Sequence, residues 1–384
     1  MREFKNIGII GAGSMGIGIA QVASAAGCKV FLYDNSIDSA KKSLNNLEKI
    51  LSRLIVKQRI TELQKQQILH NIKIVSSLND FKNVELVIEA IIEDLSIKKE
   101  LFRKLEAIVT PNCIIGSNTS SLSITDLGSV FKDPTRFIGI HFFNPAPLMP
   151  LVEVVPALQT DKNLSLAIKK LLQQWKKLPV IAKDTPGFIV NRVARPFYSE
   201  ALRIYEEQIA DFSTIDQAMK EVGGFKMGPF ELMDFIGNDV NYAVTVSVFK
   251  SFYYDPKYKP SLTQKQYKEA GWLGRKTLKG YYDYNNSVNH NPSNDVALLN
   301  EIFERILALL INDAVDALYL GVASKEDIDL AVTKGVNYPK GLLAWGEEKT
   351  FNWVMNTLDD LYATYHEDRY RCSAHLRKLA SKGL

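Results

Sequence analysis

Three cysteines in 384 residues, Cys28, Cys113 and Cys372, are too few and too scattered for a disulfide framework, and no CxxC spacing exists for a zinc ribbon. Cys28 and Cys113 fall inside apolar runs, so buried reduced thiols in a cytoplasmic protein are expected. A surplus of one charge is also lacking. The 47 Lys and Arg against 43 Asp and Glu leave +4, unlike the footprint of a nucleic-acid binder. No run approaches the ~20 apolar residues of a membrane helix. The first apolar stretch, in MREFKNIGII, meets Gly-rich sequence before it could serve as a signal-peptide core. A soluble chain without nucleic-acid or membrane partners is therefore expected. Lys169, Lys170, Lys176 and Lys177 recur at helical spacing and read as a solvated face.

What is present is alternation. Through residue 185, short apolar runs (Ile7–Ile10, Val30–Tyr33, Ile72–Val75, Leu86–Ile88, Ile114–Ile115, Phe137–Ile140, Val152–Val155, Val180–Ala182) alternate with amphipathic stretches such as Ala40–Ile55. Most of the runs are β-branched and lack polar alternation, as strands covered on both faces do. The order implies an α/β, mostly parallel, doubly wound sheet. After Asp184-Thr185-Pro186-Gly187 the strand pattern stops. Thr185 reads as an N-cap and Pro186 as the first position of a long helix through about Gln208. Asn285 to Pro292 reads as a linker.

Across that linker the chain repeats itself at a fixed offset of 113 positions. Arg192 falls on Arg305, Ala201 on Ala314, Asp216 on Asp329, Phe225 on Tyr338 and Gly228 on Gly341. A duplicated helical module follows. Three domains are expected: residues 1–185 for nucleotide binding, 186–290 as a first helical domain and 291–384 as a second, degenerate one.

Gly11-Ala12-Gly13-Ser14-Met15-Gly16 lies between the first strand and a helix. The three glycines serve a tight turn, close approach to a pyrophosphate and helix–sheet packing, and the helix N-terminus supplies amide donors. Asp34 ends the second strand, 23 residues after Gly11, and no basic residue immediately follows it. An acid there binds ribose hydroxyls and repels a 2′-phosphate, so NAD is expected over NADP. A second constellation joins His141, at a strand's C-terminal end, to Glu153, a charge inside an apolar strand. An interior carboxylate needs a partner. If the strands are neighbours, Glu153 holds one imidazole nitrogen and the other is free to take a proton from an alcohol. Asn118-Thr119-Ser120-Ser121 follows a strand and reads equally as a site loop or as the N-cap of a helix over Ile124–Val130. Asn191-Arg192 reads by itself as a helix-packing pair.

The stretches GAGSMGIGIAQVAS, VIEAIIED, SNTSSLSIT, GIHFFNPAPLMPLVEVV, KDTPGFIVNR and MGPFELMDFIG resemble, in order and separation, the NAD-dependent (S)-3-hydroxyacyl-CoA dehydrogenase family. The resemblance spans residues 4 to about 285. It implies interconversion of a 3-hydroxyacyl-CoA and a 3-oxoacyl-CoA, in fatty-acid or butanoyl-CoA-type metabolism. It also implies roles: His141 as general base, Glu153 as its orienting carboxylate, and Ser120 and Asn191 on the substrate's oxygens. Gly11, Gly13, Met15, Gly16, Asp34, Glu93, Lys98, Ser120, Asn144 and Lys276 would meet the cofactor, and Lys57 the CoA phosphates. Leu278 stands where the family has a turn Gly, which argues against a positive-φ turn after Thr277.

The repeat places Glu304 where the first module has Asn191, and only one dinucleotide fold exists, so the second module completes no second active site. Two helical modules packed about a pseudo-twofold axis would make the chain a monomer with an intramolecular pseudo-dimer, the alternative being a homodimer. Two other functions compete: a dehydrogenase of a free hydroxy acid of the gulonate type, and a non-catalytic NAD-binding protein.

Overall fold

The computed structural model describes residues 4–286 and 290–383; the central residues of the expected linker, 287–289, lie outside them. The chain forms two compact units, Met1–Thr185 and Pro186–Leu384. Among the described residues no helix is long and apolar enough to cross a membrane. Cys28, Cys113 and Cys372 are buried free thiols.

The first unit is one sheet of eight strands in the order β3-β2-β1-β4-β5-β6-β7-β8. They are β1 (Asn6–Ile10), β2 (Lys29–Tyr33), β3 (Ile72–Val75), β4 (Leu86–Glu89), β5 (Ile114–Ser117), β6 (Phe137–Phe142), β7 (Leu151–Pro156) and β8 (Leu178–Ile181). The first six run parallel; β7 pairs antiparallel with β6, and β8 follows β7 in parallel. Every residue of β4, β5 and β6 is buried, which is why these runs are apolar without alternation. Between the strands run α1 (Ser14–Ala25), α2 (Ile37–Val56), α3 (Glu62–His70), α4 (Leu95–Glu106), α5 (Ile124–Gly128) and α6 (Leu164–Gln174).

The solvated lysine face is corrected at one residue. The chain reverses at Lys176, with φ of 59°, so Lys177 leaves the register of α6 and is only 6% exposed. Its ammonium donates to the carbonyls of Ala146 (2.5 Å) and Met149 (2.8 Å), and burial without an anion pushes it down to about 8.

The second unit is helical: α7 (Val190–Val193), α8 (Arg195–Glu206), α9 (Phe212–Gln217), α10 (Pro229–Ile236), α11 (Asn238–Ser251), α12 (Leu262–Glu269), α13 (Val296–Tyr319), α14 (Lys325–Gly335), α15 (Leu342–Lys349), α16 (Phe351–Tyr365) and α17 (Ala374–Ala380). The expected long helix from Pro186 is shorter and starts later. Gly187 and Phe188 have φ of 74° and 47°, Thr185 donates to the Lys183 carbonyl, and Pro196 enters the first turn of α8. Leu278, at φ 58°, adopts the left-handed turn that its side chain argued against.

Within this unit the repeat is visible bond by bond. Asp216 accepts from the amides of Phe230 (2.8 Å) and Glu231 (2.9 Å). Its counterpart Asp329 accepts from their counterparts Leu343 (2.8 Å) and Ala344 (3.0 Å). Positive φ recurs in register at Gln208 and Gly321, Gly224 and Asn337, and Gly237 and Thr350. The halves also touch reciprocally. Arg305 pairs with Glu200 at 2.7 Å, while Asp313, the counterpart of Glu200, pairs with Lys257 beside Arg192, the counterpart of Arg305. Arg192 itself meets Asp316 at 3.0 Å. Phe225 meets its own counterpart Tyr338, ring centroids 4.9 Å apart. A residue that touches its own equivalent marks a twofold relation.

Glu200 is 2% exposed, and without Arg305 the buried carboxylate keeps only Arg369 at 3.8 Å and the Tyr370 hydroxyl. Arg305→Met should cost about 3–5 kcal/mol in urea unfolding.

Candidate active site

Because β1 through β6 are parallel, their C-terminal ends share one edge of the sheet, where open α/β sheets bind ligands. At the end of β1 the chain turns sharply into α1. Gly11 has φ of 100°, and a Cβ there would lie 2.4 Å from the Ala90 carbonyl oxygen. A Cβ on Gly16 would lie 1.8 Å from the Gly11 oxygen. Both positions therefore exclude any side chain. A Cβ on Gly13 would meet nothing within 4 Å. Gly13 caps α1 without a side-chain bond, and no acid sits in the first turn, which leaves an amide-lined opening at a positive helix end. Asp34 closes the loop from β2: its Oδ2 accepts from Ala12 N at 2.8 Å and its Oδ1 from Ser36 N at 2.9 Å. Met15 is half-buried at the core's edge. This cradle fits a dinucleotide, which Gly11, Gly13, Gly16 and Asp34 would hold.

The next strand ends carry a carboxylate network that runs from a buried Glu89 to an exposed Glu93. Glu89, fully buried at the end of β4, accepts from Ser117 Oγ (2.6 Å), Ile91 N (2.7 Å) and Lys98 Nζ (2.5 Å). Lys98 is 1% exposed and also meets Glu93 at 3.2 Å, so its ammonium is occupied by two carboxylates. Glu93 accepts from Thr119 Oγ1 (2.5 Å), Ser120 N (3.0 Å) and Ser121 Oγ (3.1 Å) and so fixes the backbone at Ser120. Burial raises the Glu93 carboxyl, but Lys98 and these donors outweigh it and hold it below the usual range. Asn118 Oδ1 accepts from Phe142 N at 2.8 Å, tying this loop to β6. The helix that follows is capped by Ser123, which removes the N-cap reading of Asn118–Ser121.

His141 stands directly opposite Glu153 in the β6–β7 ladder. Nδ1 lies 2.7 Å from Glu153 Oε2; a carboxylate only accepts, so Nδ1 carries the hydrogen. Glu153 is 0% exposed and His141 6%, and the Phe143 ring lies 4.5 Å from the imidazole. The pair has the geometry of an oriented imidazole: one ring nitrogen is held against a buried carboxyl group.

Asn144 is exposed just after β6, and Lys57 is exposed at the end of α2. Asn191 is in α7 of the second compact unit. Lys276, also in that unit, is ion-paired with Asp239. Sequence reasoning missed Glu89 and Ser117. The signal for Glu89 was the one used for Glu153, an acid ending the apolar run LVIE.

Glu93 is ionised below its ordinary value of about 4.3, so its stabilisation is full above that value and is lost as pH falls through the lower folded-state one. Glu93→Gln should flatten the dependence of Tm on pH between about 5 and 3 in thermal melts.

Comparison with known proteins agrees with this geometry. Residues 6–185 match the model of the 3-hydroxyacyl-CoA dehydrogenase NAD binding domain. Residues 187–284 and 302–384 match the model of the same family's C-terminal domain. A 3-hydroxyadipyl-CoA dehydrogenase of Escherichia coli K12 is 35% identical over 99% of this chain and 98% of its own. A 3-hydroxybutyryl-CoA dehydrogenase of Bradyrhizobium diazoefficiens is 41% identical over 73% of this chain and 95% of its own. A crystal structure described as 3-hydroxybutyryl-CoA dehydrogenase from Escherichia coli K12 superposes with a TM-score of 0.94 at 33% identity, covering 99% of both chains. The chain belongs to the 3-hydroxyacyl-CoA dehydrogenase family, and its cofactor is NAD.

Proposed function

We propose that the protein interconverts (S)-3-hydroxyacyl-CoA and 3-oxoacyl-CoA, with His141 as the base and Glu153 as its positioning carboxylate. The observation that carries this reading is the 2.7 Å pair of Nδ1 and Oε2 at the ligand-binding edge of a dinucleotide fold. In the oxidative direction His141 Nε2 takes the proton of the 3-hydroxyl. The acceptor for the hydride leaving C3 would be supplied by bound NAD. Glu153 holds the ring and offsets the imidazolium charge. Ser120, held by Glu93, and Asn191 donate hydrogen bonds to the substrate's oxygens, and Ser120 also meets the nicotinamide ribose. Gly11, Gly13, Met15, Gly16, Asp34, Glu93, Asn144 and Lys276 form the cofactor's surroundings, with Lys98 behind Glu93. Lys57 meets the phosphates of CoA. The relatives' named substrates, a butyryl and an adipyl thioester, share the thioester and the 3-hydroxyl and differ at the far end of the acyl chain. Fatty-acid or butanoyl-CoA-type metabolism is the setting.

Acetoacetyl-CoA should oxidise NADH rapidly, followed at 340 nm, while free acetoacetate should not. His141→Ala should lower kcat by about 10²–10⁴-fold. Glu153→Gln should lower kcat, whereas turnover of the free acid would point to a hydroxy-acid dehydrogenase.

The reciprocal contacts of the second unit support a monomer, its repeat halves replacing an interface between subunits. A relative that matches 73% of this chain is itself matched over 95% of its length, so it has no room for the second half. Sedimentation should give a monomer for the full chain. Removing residues 292–384 should give an insoluble or newly dimeric protein; a soluble, fully active truncated monomer would refute this.

A further inference from the structure

The repeat serves as an internal control for one cluster in the second unit. Arg195, the first residue of α8, is 5% exposed. Every other arginine buried to this degree among the described residues meets a carboxylate: Arg192 meets Asp316 (3.0 Å), Arg305 meets Glu200 (2.7 Å) and Arg369 meets Glu367 (3.0 Å). Arg195 meets none. Its Nη1 donates to Thr245 Oγ1 at 3.2 Å, and its guanidinium lies 4.9 Å from the centre of the Tyr198 ring. Its Nε has no hydrogen-bond partner, and neither has the buried hydroxyl of Tyr338, which lies within electrostatic reach of it. Burial pushes this guanidinium down, against the pull of Tyr198 and Tyr338.

Such a charge is expensive to bury, and the fold does not require it. At an offset of 113, Arg195, Tyr198 and Thr245 become Ala308, Ile311 and Leu358, and Tyr338 corresponds to Phe225. Each polar member has an apolar counterpart, and all four counterparts are buried as ordinary core. Three members of the polar set therefore belong to the half that carries Asn191, and Tyr338 faces them from the other half.

From this asymmetry we infer that Arg195, with the Tyr338 hydroxyl, binds a carboxylate at the far end of the substrate's acyl chain, making the preferred substrate a dicarboxylic 3-hydroxyacyl-CoA. The inference rests on the reading of Asn191 as a substrate contact. Ala194 keeps helical dihedrals between α7 and α8, so Asn191 and Arg195 are one turn apart on one face, about 6 Å along the axis. In a six-carbon chain the terminal carboxyl carbon lies three bonds beyond C3. Together with a charge-assisted hydrogen bond of about 2.8 Å, that spans one turn.

The test compares kcat/KM for 3-oxoadipyl-CoA and 3-oxohexanoyl-CoA, which share chain length and thioester and differ in the terminal carboxylate. The wild type should favour the dicarboxylic thioester by about 10²-fold, mainly through KM. Arg195→Met should bring the ratio near 1, Arg195→Lys should retain part of it, and Tyr338→Phe should lower it several-fold. Equal or better use of 3-oxohexanoyl-CoA by the wild type overturns the inference, and so does a preference that survives Arg195→Met. Turnover of acetoacetyl-CoA with neither six-carbon thioester accepted also overturns it, while leaving the dehydrogenase reading intact. Inertness towards all three removes both readings. Should Arg195→Met fail to fold, the wild-type ratio and Tyr338→Phe still decide.

Discussion

Glu153 places a carboxyl group in the middle of a strand from which water is excluded, and the arrangement of the candidate site follows from how that group is satisfied. A buried carboxylate without a partner is strongly unfavourable, so the strand opposite must present a donor at one register position. The antiparallel pairing of β6 with β7 puts His141 there. A slip of one residue would turn the imidazole to the other face of the sheet. The two strands thereby hold the imidazole at the edge where six parallel strands end, and the reversal of β7 against β6 sets which residue faces it.

The same constraint recurs one strand over, with the opposite emphasis. Glu89 has no histidine but a lysine, a serine and a backbone amide. Lys98 passes the constraint on to Glu93, and Glu93 to the amide of Ser120. The network is buried at Glu89 and Lys98 and reaches the surface at Glu93. Its outer end ties the loop that carries the hydroxyl assigned to the substrate. Lys98 reaches this loop at one remove, through the carboxylate that it pairs with.

How much of this was legible beforehand depended on whether the signal was local. The eight strands were, because runs such as Val30–Tyr33 and Leu86–Ile88 are apolar on both faces and need no partner to be recognised. Glu153 was legible as a charge out of place, and the duplication as a constant offset. The register joining His141 to Glu153 was not, since pairing is a property of two distant segments. Lys177 was misread because helical spacing was extended through Lys176, where the chain turns back. The helix expected at Pro186 was misread because Thr-Pro-Gly has the composition of a helix start, while Gly187 and Phe188 adopt positive φ instead. Glu89 went unnoticed beside Glu153, although both end or interrupt apolar strands.

The duplicated half shows how a fold can keep its architecture while dividing its duties. Positions that hold the two halves together remain matched in kind: Asp216 and Asp329 organise the same turn, and Arg192 and Arg305 both meet carboxylates at the shared interface. Where the first half is assigned a contact with substrate the match fails. Asn191 becomes Glu304, which is paired with Lys349 at 3.1 Å in an ion pair of the partly exposed kind that contributes little. Constraints of packing act on both halves alike, because each half is the other's partner. Constraints of binding act on one half alone. A buried polar residue whose counterpart is apolar has therefore been freed from the first kind of constraint as its explanation, and only the second kind, or an accident of descent, is left to account for it. Arg195, Tyr198 and Thr245 meet that description together, and Tyr338 extends it across the interface, where a single hydroxyl distinguishes it from Phe225.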